Sequence, residues 1–264
     1  MSRKPRHNTV FFGSYFERSQ QPLQSLLFLL PLIAVYELGI HYYASAAIAG
    51  RDIYARSLMR VFFEVFGVAA YYLPALIVVV VLMCWHIVRR DPWRFEPRMY
   101  ALMLAESLVL AVPLFVFGLV MAKQPAAMAL LQMLTGSAPP PADPAGAVPW
   151  QAQLVFSIGA GIYEELLFRL IGIALLHLLL VDVLALPEHV GAIGAIGLSA
   201  IAFAFYHFNS ENRFDLGLAV YYTVAGLYFA GIYVVRGFGL VAATHALYDV
   251  LVVLLSLRAA SGEP

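Results

Sequence analysis

The chain has 264 residues, of which 62% are hydrophobic and 12% are charged, with a formal net charge of zero. A soluble domain is usually about 45–50% apolar and about 25% charged, so this composition argues against a soluble protein and favours a membrane protein. The zero net charge gives no support for nucleic-acid binding. The single cysteine excludes an intrachain disulfide and a cysteine-rich metal site.

Apolar blocks close to the ~20 residues that a helix needs to cross a hydrocarbon core recur along the chain. We predict spans near residues 23–43, 68–88, 99–121, 150–180, 190–208, 216–235 and 238–257. Between the first two spans, Arg51, Asp52, Arg56, Arg60 and Glu64 are interleaved with apolar residues, which is typical of an interfacial helix. The sequence therefore predicts an all-α, polytopic transmembrane helical bundle of about seven spans.

The domain organisation follows from the same blocks. Residues 1–122 hold the N-terminal transmembrane helices and the interfacial segment, and residues 123–149 form a connection rich in proline and alanine. Prolines disfavour a regular helix in that connection. Residues 150–264 then form the second transmembrane core. Basic residues before the first span and in the 89–98 loop predict a cytoplasmic N-terminus, because cytoplasmic loops are enriched in Lys and Arg.

Charged residues interrupt the apolar segment GAGIYEELLFRLIG, residues 159–172. Ionisable residues inside the membrane are costly and are functional candidates by default. Glu165 and Arg169 are four residues apart, share a helix face and can form an ion pair. Glu164 is rotated by about 100° from Glu165 and cannot be served equally well by the same arginine. A carboxylate left in an apolar environment without a cation is suited to proton transfer, although a purely structural network is an equal alternative for this motif alone.

Two further apolar segments carry histidines with partners at helical spacing. In FAFYHF, Phe203 and His207 lie four residues apart on one face, and in THALYDV, His245 and Asp249 do the same. Each motif by itself is also consistent with a structural brace inside the bundle. Three such motifs in three separate spans favour a common functional site.

Two more carboxylates, Glu37 and Glu106, lie in the first and third predicted spans. We expect each to form a structural hydrogen bond within the bundle, with a place on the water path to the site as the alternative.

The motifs EELLFR, FAFYH and HALYD follow the pattern EExxxR, FxxxH, HxxxN/D in order and spacing. This pattern resembles the CAAX protease and bacteriocin-processing family of intramembrane proteases, which includes the type II CAAX prenyl endopeptidases. The resemblance covers roughly residues 150–257. Many family members carry Asn at the position of Asp249.

The resemblance implies an intramembrane endopeptidase that uses a glutamate-activated water. In that interpretation Glu164 and His207 activate the water, and His245 and Asp249, or its protonated form, stabilise the oxyanion. Glu165 and Arg169 orient the first helix, and Phe203 supports His207. The implied partners are the lipid bilayer and a peptide or protein substrate with a membrane-associated tail, in a bacterial or archaeal cell membrane.

Other interpretations stay open. A zinc ion takes three protein ligands plus water at a catalytic site, and two histidines with a glutamate could supply them. No HExxH motif is present, so we predict that no cofactor is required, with zinc as the alternative. A non-catalytic membrane protein of the same fold, acting as an immunity or chaperone-like partner, is the main alternative function. A transporter is disfavoured because the sequence shows no repeat.

One geometric condition accompanies the enzyme hypothesis. His207 lies near the end of its span and His245 about seven residues into a parallel one, so simple counting separates them by about 15 Å. They can meet only if the last helix starts deep in the membrane. The RGFG turn, with Gly237 and Gly239, makes that start possible.

Overall fold

The computed structural model describes residues 15–43, 73–122, 149–211 and 216–261, and these residues contain helices and no β-strand. The main helices are α1 (Pro22–Tyr43), α2 (Leu73–Arg89), α3 (Pro97–Ala122), α4 (Trp150–Val183), α5 (Glu188–Glu211), α6 (Leu216–Arg236) and α7 (Phe238–Ser261). All except α2 are long and apolar enough to cross a membrane, and α2 is a shorter apolar helix. The prediction of an all-α, multi-pass membrane protein is confirmed. The predicted interfacial segment and the Pro/Ala-rich connection up to residue 148 lie outside the described residues.

The helix α4 changes its hydrogen-bond pattern directly after the two adjacent glutamates. Its first part, Trp150–Glu165, is α-helical, and the π-helical stretch Leu166–Ile173 follows at once. A second π-helical stretch, Leu178–Val183, ends the helix. Wider turns of this kind are frequent at functional sites because they re-aim the side chains around them. Arg169 lies inside the first stretch.

The helix α7 is the centre of the bundle. Residues 238–246 are all buried, and the helix packs against α1, α3, α4 and α6. Helices in a bilayer gain little from hydrophobic burial against each other, so small residues that allow close packing decide where they associate. Gly161 of α4 supplies such a contact. A Cβ atom at this position would lie 2.4 Å from the backbone nitrogen of Ala246 and 2.6 Å from the carbonyl oxygen of Ala242.

A single residue connects α6 to α7. Gly237 has a φ of 82°, in the left-handed region that favours glycine, and its N–H donates to the Tyr233 carbonyl oxygen at 2.8 Å. The helix α7 therefore begins where α6 ends. The N–H of Gly239 donates to Ser25 Oγ of α1 at 3.1 Å, and this bond fixes the start of α7 inside the bundle.

The junction between α6 and α7 also contains an ion pair, whose arginine is buried. Arg236, at the end of α6, is 4% exposed and donates through Nη2 to Glu106 Oε2 at 2.8 Å and to Ser19 Oγ at 2.9 Å. The hydroxyl of Tyr15 donates to the same carboxylate, and burial together with that carboxylate raises the pKa of the Tyr15 phenol. Glu106 thus has the structural contact expected of it.

Glu37, the other intramembrane carboxylate outside the three motifs, also has a hydrogen-bond donor in the bundle. The Tyr163 hydroxyl donates to Glu37 Oε1 at 2.7 Å. This bond joins α1 to α4 at the residue that precedes Glu164.

We expect the substitution Gly161→Ala to destabilise the bundle, because its Cβ would overlap the backbone of α7. Forcing extra atoms into a packed core typically costs about 1–3 kcal/mol. Thermal unfolding in detergent would measure the effect. Gly197→Ala is the matched control, since a Cβ there has no heavy atom within 4 Å. Equal melting temperatures for the two variants would contradict close packing of α4 on α7.

Candidate active site

The adjacent carboxylates on α4 have different partners. Glu165 is fully buried, with Oε2 at 3.0 Å from Arg169 Nε and Oε1 at 2.7 Å from His245 Nδ1. The ion pair expected from the spacing of Glu165 and Arg169 is therefore present. Glu164 instead accepts a hydrogen bond from the Tyr206 hydroxyl at Oε1, 3.0 Å away. Its other oxygen, Oε2, is buried and accepts no hydrogen bond from a residue that the structure describes.

Both motif histidines point their Nε2 atoms at that oxygen. His207 Nε2 lies 3.8 Å and His245 Nε2 lies 4.0 Å from Glu164 Oε2. These separations are too long for direct hydrogen bonds, and separations of this kind are those that a shared water molecule bridges. One carboxylate oxygen of α4 thus has an imidazole nitrogen from α5 and another from α7 within 4.0 Å.

The other nitrogen of each imidazole has a fixed partner. His207 Nδ1 lies 2.9 Å from the Phe203 carbonyl oxygen, which can only accept, so the Nδ1–H donates and a neutral His207 keeps Nε2 as an acceptor. His245 Nδ1 in the same way donates to the Glu165 carboxylate. The backbone carbonyl and Glu165 therefore set the orientation of the two rings.

One aromatic ring stacks on the face of each imidazole. Tyr222 stacks on His207 with 4.1 Å between ring centroids, and Phe229 stacks on His245 at 4.4 Å. Tyr222 and Phe229 are seven residues apart on α6, so one helix face supports both histidines. His207 and His245 therefore meet at Glu164, as the enzyme hypothesis requires, despite their different positions along their helices.

Arg169 is enclosed by aromatic rings and by backbone. It is fully buried, and its guanidinium carbon lies 4.4 Å from the Phe203 ring centroid and 5.7 Å from that of Phe229. Its Nη2 donates to the Gly226 carbonyl oxygen at 3.1 Å. The cation therefore balances Glu165 in a low-dielectric environment and ties α4 to α6.

Accessibility differs across the site. The side chains of Glu165, His245 and Glu164 are 0%, 5% and 7% exposed, whereas those of His207 and Asp249 are 16% and 27% exposed. Asp249 Oδ2 lies 3.5 Å from His245 Nε2. A reactant can therefore approach from the edge that His207 and Asp249 form, with Glu164 behind them.

The zinc alternative would draw its ligands from Glu164, His207 and His245, whose facing atoms are one carboxylate oxygen and two Nε2 atoms. Zinc bonds to such ligands are about 2.0–2.2 Å long. Within the described part of the chain, no group of three His, Cys, Asp or Glu side chains is arranged to hold a metal ion. Metal dependence therefore stays a question for experiment.

Residues 146–251 match the family model described as type II CAAX prenyl endopeptidase Rce1-like. This match supports membership of the CAAX protease family. The matched residues contain all three motifs and all the helices that build the site. No curated protein and no solved structure matches the chain.

Every site residue predicted from the sequence lies in one cluster. The structure brings together Glu164, Glu165, Arg169, Phe203, His207, His245 and Asp249. Their catalytic roles stay predictions. Glu165, a predicted site residue expected to orient α4, also accepts a hydrogen bond from His245.

Three residues near the reacting position were missed by the sequence analysis. These are Tyr206, Tyr222 and Phe229. Tyr206 precedes His207 directly in FAFYH, and a hydroxyl next to the motif histidine in an apolar span was a usable signal. The two rings on α6 gave no such signal, because aromatic residues are common in membrane helices and only the packing of α6 selects these two.

We expect Arg169→Leu to destabilise the protein strongly, since removing one partner of a buried ion pair leaves an uncompensated charge. The typical cost is about 3–5 kcal/mol. The matched control is Arg18→Leu, which breaks the ion pair with Glu96 at side-chain exposures of 26% and 39%. Exposed pairs typically contribute less than about 1 kcal/mol. Thermal unfolding of both variants in detergent is the measurement, and equal losses would contradict the buried-charge interpretation.

Proposed function

We propose that this protein is an intramembrane endopeptidase that hydrolyses a peptide bond of a membrane-associated or lipidated substrate with a water molecule activated by Glu164. The observation that carries the proposal is that His207 Nε2 and His245 Nε2 both face Glu164 Oε2, at 3.8 Å and 4.0 Å, which leaves room for a bridging water. The match of residues 146–251 to the type II CAAX prenyl endopeptidase family model supports the reaction class.

The arrangement of acceptors suits activation of a water molecule. Glu164 Oε2 and, in the neutral ring, His207 Nε2 can each accept one hydrogen of the same water. A water that donates both hydrogens directs its lone pairs elsewhere, toward the carbonyl carbon of a substrate at the accessible edge. Glu164 then takes one proton as the water attacks, and it returns that proton to the amine that leaves when the C–N bond breaks.

His245 and Asp249 supply the hydrogen-bond donors for the oxyanion. His245 already donates its Nδ1–H to Glu165, so it can donate at Nε2 only as the imidazolium. The carboxylates of Glu164 and Glu165, both within 4.0 Å of its ring nitrogens, balance that positive charge. The protonated form of Asp249 would be the second donor. Each such donor is typically worth about 3–4 kcal/mol of transition-state stabilisation.

The N-terminal segment and the α2–α3 loop lie on the same side of the helical bundle. Arg18, before α1, contacts Glu96, in that loop, at 2.7 Å. Both segments are rich in arginine, so we propose that this side is cytoplasmic in a bacterial or archaeal cell membrane.

Glu164→Gln is expected to abolish cleavage, because the amide keeps the shape of the side chain but cannot take a proton from water. The assay would use purified protein in liposomes with farnesylated CAAX-type peptides, the same peptides without the farnesyl group, and apolar single-span peptides. Glu106→Gln is the matched control, since it removes an intramembrane carboxylate that is bound to Arg236 and Tyr15 and not to a motif residue. Loss of stability without loss of turnover is expected for the control.

Chelator and added zinc separate the two mechanisms in the same assay. Cleavage that is indifferent to chelator supports a water activated by the glutamate alone, and loss with restoration by zinc supports the metal mechanism. Binding of a peptide without any cleavage by the wild type would contradict the enzyme and favour the non-catalytic binding partner.

The oxyanion role of position 249 predicts a difference between two substitutions. Asp249→Asn is expected to keep kcat/KM within about tenfold of the wild type, because the amide donates a hydrogen bond without needing an extra proton. Asp249→Leu, of similar size, donates nothing and is expected to lose about 100-fold or more. Equal losses in both variants would show that position 249 acts through its charge instead.

A further inference from the structure

A tyrosine outside the three motifs contacts the carboxylate that acts as the base in the proposed function. We propose that Tyr206 is a positioning residue, which holds Glu164 through Oε1 so that Oε2 alone faces the water and receives its proton. The inference rests on the proposed function. It concerns a position that the pattern FxxxH leaves open to any residue.

The two oxygens of Glu164 are distinguished by their contacts. Oε1 accepts the Tyr206 hydroxyl at 3.0 Å, in a buried contact. Oε2 accepts no hydrogen bond from a described residue and faces the Nε2 atoms of His207 and His245. A carboxylate is symmetric, and rotation about its terminal bond is soft. The hydroxyl is the described group that prevents the two oxygens from exchanging places.

The direction of the hydroxyl is itself fixed by packing. Tyr206 is 8% exposed, and its ring lies edge-on to Phe168 at 5.2 Å and to His207 at 5.1 Å between centroids. Consecutive residues of a helix point about 100° apart. Tyr206 and His207 therefore reach the Glu164 carboxylate from two sides, one at each oxygen, and a single turn of α5 supplies both contacts.

The chemical consequence is a division of roles within one carboxylate. The hydrogen bond from a phenol to an ionised carboxylate is charge-assisted and roughly twice as strong as a neutral one. It stabilises the ionised form, which a base needs, and it leaves the lone pairs of Oε2 for the water. Without it, the carboxylate would spend part of its time in orientations that cannot accept the proton.

The test compares Tyr206→Phe with Tyr228→Phe, both of which remove one hydrogen-bonded hydroxyl and keep the ring. The Tyr228 hydroxyl donates to the Leu110 carbonyl oxygen at 2.6 Å, between α6 and α3, so its loss affects packing only. With the peptide that the wild type cleaves, kcat of Tyr206→Phe is expected to fall about 10- to 100-fold with KM within about twofold. Tyr228→Phe is expected to keep both constants. A kcat within twofold of the wild type for Tyr206→Phe would overturn the proposal.

Infrared difference spectroscopy gives a readout that does not depend on cleavage. The carboxyl band of Glu164 is assigned by its loss in Glu164→Gln, and it is expected to shift in Tyr206→Phe and to stay in place in Tyr228→Phe. If the wild type cleaves no peptide, the proposed function fails, and the infrared comparison still decides whether Tyr206 holds Glu164. An unshifted band in Tyr206→Phe would overturn the positioning role in either case.

Discussion

The contact between Glu165 and its two partners is the interaction on which the rest of the site depends. A carboxylate with no solvent exposure is tolerated only with charge and hydrogen-bond partners, and Glu165 has Arg169 on one oxygen and His245 on the other. Through these contacts the residue links α4 to α7. It also fixes which nitrogen of His245 faces Glu164. A single buried carboxylate thus determines helix packing and the direction of a catalytic candidate at once.

Close helix packing makes that contact possible. Gly161 lies one turn before Glu165 on α4, and it allows the α4 backbone to approach Ala242 and Ala246 on α7. His245 is the neighbour of Ala246 in the chain. The short distance between the helices at Gly161 therefore allows the 2.7 Å hydrogen bond between Glu165 and His245. A larger residue at position 161 would separate the two functional groups even though it lies outside the motifs.

The site combines apolar surroundings with a small number of polar atoms whose orientation is fixed. Phe203, Phe229 and Tyr222 cover the faces of Arg169 and the two histidines, so electrostatic interactions among the buried groups are weakly screened. Each imidazole has one nitrogen committed to a structural partner and one directed at Glu164. Such preorganisation is what a hydrolytic site inside a bilayer requires, because water there is scarce and must be held in place.

The apolar blocks alone determined the fold class, because uninterrupted apolar segments of about 20 residues have the length at which a helix crosses a bilayer with all its backbone hydrogen bonds internal. The spacing of charged residues within those blocks also determined the candidate site, because an i,i+4 relation puts two side chains on one face whatever the tertiary fold. The pair Glu165–Arg169 followed directly from that rule. Tertiary structure decided the contacts between residues of different helices, which spacing along a single helix does not specify. Three contacts depend on how α4, α5, α6 and α7 cross: the hydrogen bond of His245 to Glu165, that of Tyr206 to Glu164, and the approach of His207 to His245. That crossing is set by close backbone contacts at glycine and alanine and by the one-residue turn at Gly237.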